Sequence, residues 1–537
     1  MRPGEIARSV SRGAFYLAVE KVAALVSGTV YFALLLRWMG PTKYGIITLG
    51  LSLVGLSSMA TGNFEVYLER YTAEHDAHGR LLTLRRAHRL ALALKLGLGV
   101  LIGTMLVVLT PFLDRQFDAP LLATVLPVLA LIVVFDGLST TGRAVLYGLQ
   151  RFRLICAIAV TFHVAKTIMV GVLWWTRQGL PELALGLAIL TALQGLAQTI
   201  PPLWLLRQAR DPAPAGATGE ATAAAPSGTA GRRSMLRTMV VYCVPLYGAR
   251  AAFLSGQNLS KVVLGKLFGV ADLGYFSFAF QTVERFVELA NALPSALLPS
   301  LTRLVANRER ERLRWVFDQA FRLIQVAACA LSVSLFLFAP ELTRWVGSPL
   351  FAPAVPLLRI LALVPLARTA HQPFTMIFQA LRLPGTVLTL ALIKFGIEFG
   401  CYFTLVPALR LSGAGWANLA GAVATFIGAH LALRRVLPEG SGERARASLF
   451  ALLLALPIMG AGLAIDAATH GVVAVTAKLL VALVALVAAF AIGLITPYDL
   501  EKVSSLPLSA VWMQRARDLA VATGERLVRV AAPRRVP

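Results

Sequence analysis

A chain of 537 residues that is 57% hydrophobic and 15% charged, with a mean hydropathy of +0.72, has more apolar surface than one soluble core can bury, so its long uncharged runs must face a bilayer. Its four cysteines, Cys156, Cys243, Cys329 and Cys401, stand singly in apolar stretches with no Cys-x-x-Cys and no histidine at ligand spacing, which excludes a disulfide framework and a zinc site. The net charge of +24 does not mark a nucleic-acid binder: the cations are not interleaved with aromatics in a basic domain but sit in short segments between apolar runs, the pattern of positive-inside topology.

The first apolar run, Ala14 to Leu36, carries Glu20 and Lys21 and is followed by "RWMGP" rather than a small-residue cleavage site, so it is expected to be a span and not a secretory signal. Further runs long enough to cross about 30 Å of hydrocarbon fall near 44–66, 91–113, 121–147, 154–176 and 183–206. The stretch "RDPAPAGATGEATAAAPSGTAGRR", Arg210 to Arg233, is rich in Pro, Gly, Ala and Thr without periodicity and reads as a flexible linker. Beyond it come 239–264, 273–302, 321–345, 355–380, 385–407 and 414–433, then 447–465 and 471–496. The expectation is an all-α integral membrane protein of about 14 transmembrane helices. It divides into an N-terminal lobe of six (1–209), a cytoplasmic linker (210–236), a C-terminal lobe of six (237–436), an added pair (437–498) and a basic cytoplasmic tail (499–537).

With the N-terminus in the cytoplasm, alternate connections receive Arg70 to Arg89, Arg151 and Arg153, Arg207 to Arg237, Arg303 to Arg322, Arg434 to Arg446 and the tail. About 34 of the 51 lysines and arginines then fall inside, about 8 outside and about 9 within spans, an asymmetry that a wrong span count would scramble. Both termini are therefore expected to be cytoplasmic. The opposite connections are all short, which leaves no room for an extramembrane catalytic domain.

The two sets of six echo each other. "RWMGPTKYG" (Arg37 to Gly45) follows the first span and "KLFGVADLGY" (Lys266 to Tyr275) the seventh, so that Arg37, Gly40 and Gly45 correspond to Lys266, Gly269 and Gly274 at an offset of 229 residues. "LYGLQRFR" (Leu146 to Arg153) and "IFQALRLPG" (Ile377 to Gly385) place Arg151 opposite Arg382 at nearly the same offset. Six spans is an even number, so the repeats run the same way through the membrane and relate by a pseudo-twofold axis along its normal. The same offset puts Lys21 opposite Arg250, both cations in the middle of the first helix of their half.

An ionisable group at membrane depth costs at least about 2.5–3.5 kcal/mol unless it faces protein or water. In "KLFGVADLGYFSFAFQTVERFVELANALP", Gln281, Glu284, Glu288, Asn291 and Ser295 recur at steps of three and four and so share one helical face, with Arg285 beside it. Arg368, His371, Gln372, Thr375 and Gln379 repeat the pattern in the tenth span, and Arg250, Gln257 and Lys261 in the seventh. Glu20 and Lys21 join from the first span, Glu65 from the second, and Lys394 with Glu398 from the eleventh, where pairing that merely glues helices explains the charges equally well. Lys261, Lys266 and Arg37 lie near span ends and are read as snorkelling to the interface; Lys166 and His163 stay ambiguous. Lys21, Arg250, Arg285 and Arg368 are the candidate anion-binding residues of a cationic cavity, because arginine's planar fork pairs two-fold with phosphate oxygens. Glu20, Glu65, Gln281, Glu284, Glu288, Asn291, His371 and Gln372 are the cavity or coupling candidates.

"LRWMGPTKYGIITLGLSL", "YLERYTAE" and "NLSKVVLGKLFGVADLGYFSFAFQ" resemble the Wzx-type oligosaccharide flippases of the multidrug/oligosaccharidyl-lipid/polysaccharide exporter (MOP) superfamily, over spans one to twelve. The resemblance implies two six-helix lobes rocking between inward-open and outward-open states in a bacterial inner membrane. It implies an undecaprenyl-diphosphate-linked glycan as cargo, polysaccharide polymerase and export proteins as companions, and no cofactor. The added pair, Leu449 to Thr496, resembles the extra helices of lipid II flippases.

Three alternatives stay open: a lipid II flippase, a drug or cation antiporter, and an integral-membrane glycosyltransferase or ligase. An antiporter needs carboxylates to outnumber cations in its cavity. An enzyme needs convergent acidic or histidine groups in a sizeable outer loop. The outer connections offer Asp114, Asp118, Glu182, Asp272, Glu341, and Asp466 with His470, each read as a solvated surface residue. No phosphate-binding Gly-x-x-x-x-Gly-Lys-Ser/Thr loop is present, so ATP is not an evident drive.

Overall fold

A computed structural model of the chain describes residues 3–62, 64–77, 81–208, 248, 251, 255–291, 297–381 and 383–491. The expected linker, the basic tail, Arg250, Ser295, Arg382 and Cys243 lie outside them. The described residues contain helices and no strands, as lipid demands, because a helix satisfies its own backbone polar groups. Among the described residues nine helices are long and apolar enough to cross a membrane, or ten if one bent pair is a single span.

Helix α1 (Pro3–Met59) holds the first two expected spans end to end. They are separated at Gly40, whose φ of 66° and ψ of 179° only glycine adopts without strain, and Pro41 restarts the helix because its missing N–H is not needed there. The second span ends at Met59, short of the expected position 66. A turn at Ala60 to Gly62 leads into α2 (Phe64–Ala77), so Glu65 belongs to the first turn of α2 and not to the span. There follow α3 (Leu81–Phe117), α4 (Pro120–Gly148), α5 (Phe152–Trp175), α6 (Leu180–Gln208), α7 (255–268) and α8 (Val270–Ala290).

The later elements are α9 (Leu297–Ala306), α10 (Arg310–Leu337), a short α11 (Ala339–Leu342), α12 (Val355–Leu361), α13 (Val364–Ala380), α14 (Pro384–Leu409), α15 (Leu411–Val436), α16 (Ser441–Ala468) and α17 (Gly471–Ala491). The expected eighth span is α8 alone up to Ala290, with Asn291 in the turn that closes it. The expected tenth span is α12 and α13, bent by 44° across a short break just before Pro365, a residue with no N–H to continue the ladder.

The chain forms two compact units, Met1–Ser277 with Val346–Phe351, and Phe278–Trp345 with Ala352–Pro537. In the first, α4 is the central helix, packed by α3 and α6 and also by α1 and α2. Small residues allow this: a Cβ on Gly142 would lie 2.4 Å from the Gln198 carbonyl oxygen. In the second, an aromatic cluster of Phe317, Phe321, Phe374 and Phe426, with ring centroids 5.2–6.5 Å apart, joins α10, α13 and α15. A second apolar cluster, with Cys329, Val333, Leu337, Ala451, Ala455 and Met459 at its heart, packs α16 along α10.

The repeat shows itself inside the first unit. Gly269, the counterpart of Gly40, also has positive φ (85°) and also separates two helices. A Cβ on Gly45 would lie 1.7 Å from the Val270 carbonyl oxygen, and one on Gly274 would lie 2.0 Å from that of Pro41. Position 41 corresponds to 270 and 45 to 274, so the two turns touch reciprocally, as two copies do across a twofold axis.

Substituting either turn glycine is therefore expected to be severe. Gly45→Val and Gly274→Val should each abolish monodisperse protein in detergent, because backbone cannot yield to a side chain. Gly97→Ala, in a helix interior where an added Cβ meets nothing within 4 Å, should fold normally and gain about 0.5–1 kcal/mol from helix propensity, read as a raised thermal midpoint.

Candidate functional site

One residue of the polar stripe of α8, Glu284, meets α13 in the second unit. Arg368 presents both terminal nitrogens to Glu284: Nη2 donates to Oε2 at 3.0 Å and Nη1 donates to Oε1. Both side chains are largely buried, and a fork-on-fork pair of this kind fixes orientation as well as charge. One turn along α13 lies His371, whose Nε2 is buried without a hydrogen-bond partner. Glu398 also acts electrostatically on Arg368, and Arg368 and Lys394 both act on His371, so α14 belongs to the same network.

Glu398 is the better-buried partner there. Lys394 Nζ donates to its Oε2, and Asn418 Nδ2 of α15 donates to its Oε1 at 2.8 Å. The helix-gluing alternative for Lys394 and Glu398 thus acquires a third member that ties α14 to α15. Arg285, beside the stripe, approaches Glu288 of its own helix at 3.9 Å, with Glu288 exposed. Gln281 and Gln372 are half-buried on α8 and α13.

The first unit holds a parallel arrangement. Glu20, 7% exposed, accepts a hydrogen bond of 2.7 Å from Arg143 Nη2 of α4, and Glu65 of α2 pairs at 3.0 Å with the buried Lys95 of α3. Ser139 Oγ of α4 donates to Gln198 Oε1 of α6 at 2.6 Å. Lys21 is exposed on α1, and Arg250 lies outside the described residues. Among the sequence candidates, then, the structure brings Arg368 to Glu284 and Arg285 to Glu288. It gives Glu20 and Glu65 partners that sequence reasoning passed over, Arg143 and Lys95. Both cations stand inside expected spans, so the cost of membrane-depth charge that flagged the others applied to them equally.

Two expectations need correction. Lys261 does not snorkel: it is 8% exposed, whereas Lys266 is exposed and donates to the Gln116 carbonyl at 2.5 Å. Glu341 and Asp466 are not solvated surface groups. Lys478 of α17, with no exposed surface, lies 2.7 Å from Glu341 and 2.6 Å from Asp466, and Asp466 also accepts from Arg359 of α12. Sequence missed this because Lys478 sits in an apolar run and its partners are far away in the chain.

At the other end of α16, the buried Arg444 donates to Asp318 Oδ1 and to the Leu437 and Glu439 carbonyls, each at 2.9 Å. Arg314 adds contacts to Asp318 at 3.5 Å and Glu439 at 3.0 Å. Arg314, Asp318, Arg322, Glu439 and Arg444 line a cavity of about 700 Å³, in which Arg314 and Arg444 already hold carboxylates. The added helix pair is thus pinned by ions at both ends of α16, with the apolar cluster between.

With this geometry in place, known proteins can be compared. The family described as "Polysaccharide biosynthesis protein" matches residues 10–305, more than half of the chain. The chain belongs to the polysaccharide biosynthesis protein family. A second family, MatE, matches residues 245–403. Stage V sporulation protein B of Bacillus subtilis (strain 168) is 26% identical over 213 residues, a match spanning 39% of this chain and 39% of that relative. The fold is similar to the inward-facing conformation of a multidrug resistance MATE family transporter of the MOP superfamily (TM-score 0.62, 15% identity, covering 81% of this chain and 99% of that one). It is also similar to the inward closed conformation of the lipid II flippase MurJ (TM-score 0.60, 12% identity, 88% and 97%). Among the described residues the helices are those of a multi-pass membrane protein, in the fold shared with these transporters.

The buried clamp makes a sharp prediction. Lys478→Met strands Glu341 with an uncompensated charge and should cost about 3–5 kcal/mol, seen as a large fall in thermal midpoint in detergent. Lys478→Met with Glu341→Gln should recover most of it, because Asp466 keeps Arg359.

Proposed function

We propose that this protein flips an undecaprenyl-diphosphate-linked oligosaccharide, the repeat unit of a polysaccharide, from the cytoplasmic to the outer leaflet of a bacterial inner membrane by alternating access. The observation that carries the reading is the fork of Arg368 held two-fold by Glu284, two residues that stand within the expected tenth and eighth spans. A carboxylate and a phosphate offer arginine the same pair of oxygens. A diphosphate cargo can therefore take the place of Glu284, and the displaced carboxylate is left to a proton or to Lys394.

No bond is made or broken in this cycle. A head group with two negative charges is favoured by roughly 5 kcal/mol per 100 mV in moving outward under an inside-negative potential, provided that protein charges do not travel back with it. Lys21, Arg250 and Arg285 are the other cations we assign to the cargo. Glu20, Glu65, Glu284, Glu288, His371 and the amides Gln281, Asn291 and Gln372 are the groups we assign to compensation and coupling.

The topology proposed with this function places both termini, the linker 210–236 and the tail 499–537 in the cytoplasm, with lobes 1–209 and 237–436 and an added pair 437–498. Polysaccharide polymerase and export proteins are the partners such a cargo calls for. A second reading, flipping of lipid II, is favoured by the clamped added pair α16–α17 and by the fold shared with MurJ. Both cargoes present the same lipid diphosphate, so the site chemistry is common to them.

The test separates cargo binding from helix gluing. Arg368→Met alone leaves Glu284 uncompensated and should destabilise by about 3–5 kcal/mol. Arg368→Met with Glu284→Met should fold well yet still fail to export glycan in a complementation assay; normal export by the double variant would remove the anion-binding role. Thiol labelling of single cysteines placed between positions 210 and 233 should succeed only from the cytoplasmic side. Labelling there from outside would overturn the topology.

A further inference from the structure

Three segments remote in sequence meet at one end of the first unit. Two are the reciprocal glycine turns, Gly40 to Gly45 and Gly269 to Gly274. The third is Val346–Phe351, which packs with this unit although Trp345 before it and Ala352 after it belong to the other. Phe351 is fully buried. Its ring stands edge-on to Tyr44, at 6.3 Å and 71°, and to Tyr275, at 6.2 Å and 89°. Leu350 abuts the first turn, 3.6 Å from where a Gly40 side chain would begin.

The geometry is that of a peg seated between paired jaws. Tyr44 precedes Gly45 and Tyr275 follows Gly274, so each repeat supplies one ring next to the glycine that lets the jaws touch. Behind the peg the second part of α1 and α7 run antiparallel in contact: Leu49 lies against Gly265, Gly55 against Asn258, and Met59 Sδ is 3.9 Å from Ser255 Oγ. The strap itself is not α-helical. A π turn (Thr343–Gly347) and a 3₁₀ turn (Pro349–Ala354) form it, backbone that stores less regular hydrogen bonding and marks hinges in helical proteins.

We propose that Phe351 is a gating residue: seated between Tyr44 and Tyr275 it holds the two glycine turns shut, and withdrawal of the strap Val346–Phe351 opens the cargo exit. The exit is outward because the proposed topology puts all three segments on the outer side, so the inference rests on the transport reading above. The π turn before Phe351 and the 3₁₀ turn that contains it supply the hinge at which the strap withdraws.

The experiment uses the full chain with Cys156, Cys243, Cys329 and Cys401 replaced by serine. In Tyr275→Cys/Phe351→Cys, bridging by a short, reducible bifunctional thiol reagent should stop export, and reductant should restore it; undiminished export by the bridged protein overturns the proposal. In a second arm, Leu49→Cys reports access from outside to a membrane-impermeant maleimide. Labelling should be several-fold faster when Phe351→Ala is added and unchanged when Phe351→Leu is added; equal rates in all three overturn the proposal. Should Phe351→Ala fail to fold, the bridging arm decides. The labelling arm involves no cargo, so a gate that opens as described while Arg368 variants export normally would fault the cargo assignment and leave the gate standing.

Discussion

A charge carried into a bilayer must bring its own counter-charge, and most of what is particular to this structure follows from that. Glu20 finds Arg143, Lys95 finds Glu65, Arg368 finds Glu284, and Lys478 finds two carboxylates at once. Such pairs are poor sources of net stability, since desolvating two ions costs nearly as much as their attraction returns, but losing one partner is expensive. They therefore act as positional constraints. A helix that carries one half of a pair can be seated in only one register against the helix that carries the other.

The second constraint is steric. The turns at Gly40–Gly45 and Gly269–Gly274 approach so closely that carbonyl oxygens occupy the space of absent side chains. Lipid tails are as apolar as leucine, so helices in a membrane gain from each other mainly through such close contact and through hydrogen bonds. A contact made only of backbone is short-ranged: it is lost entirely with a small separation. A tight seal that opens abruptly is what the proposed alternating access of one site to two leaflets calls for.

How much of this was legible in the sequence depends on the range of the interaction. Apolar run length is a local property, so the helical, membrane-spanning class and most spans could be read directly, and the glycine turns at a common offset disclosed the repeat before their contact was seen. The interruption at Met59 and the bend before Pro365 escaped because hydropathy is continuous through both; only backbone geometry breaks there. The Arg368–Glu284 pair was half legible: helical spacing put Glu284 on a polar face and Arg368 on another, but nothing local says that the two faces meet. Arg143 and Lys95 needed only the same rule applied evenly. The Glu341–Asp466–Lys478–Arg359 cluster was half legible: Lys478 and Arg359 stand inside expected spans and fall under that rule too, but their meeting with Glu341 and Asp466 is a fact of tertiary packing.

The pairing of Arg368 also changes what a cationic cavity means. An arginine left bare in an empty site would carry the full cost of a membrane-depth charge in every cycle. One held by Glu284 carries almost none, and its fork is already oriented for a two-oxygen ligand. If Arg368 binds the proposed cargo, the consequence is selectivity by exchange. A neutral sugar or a lone hydrocarbon chain offers nothing to replace the carboxylate, whereas a lipid diphosphate offers an equivalent pair of oxygens and additional charge. On the proposed role of Arg368, the internal carboxylate screens the arginine from everything except a ligand that can match it, and discrimination of this kind depends on an unpaired group being costly rather than on the paired state being strong.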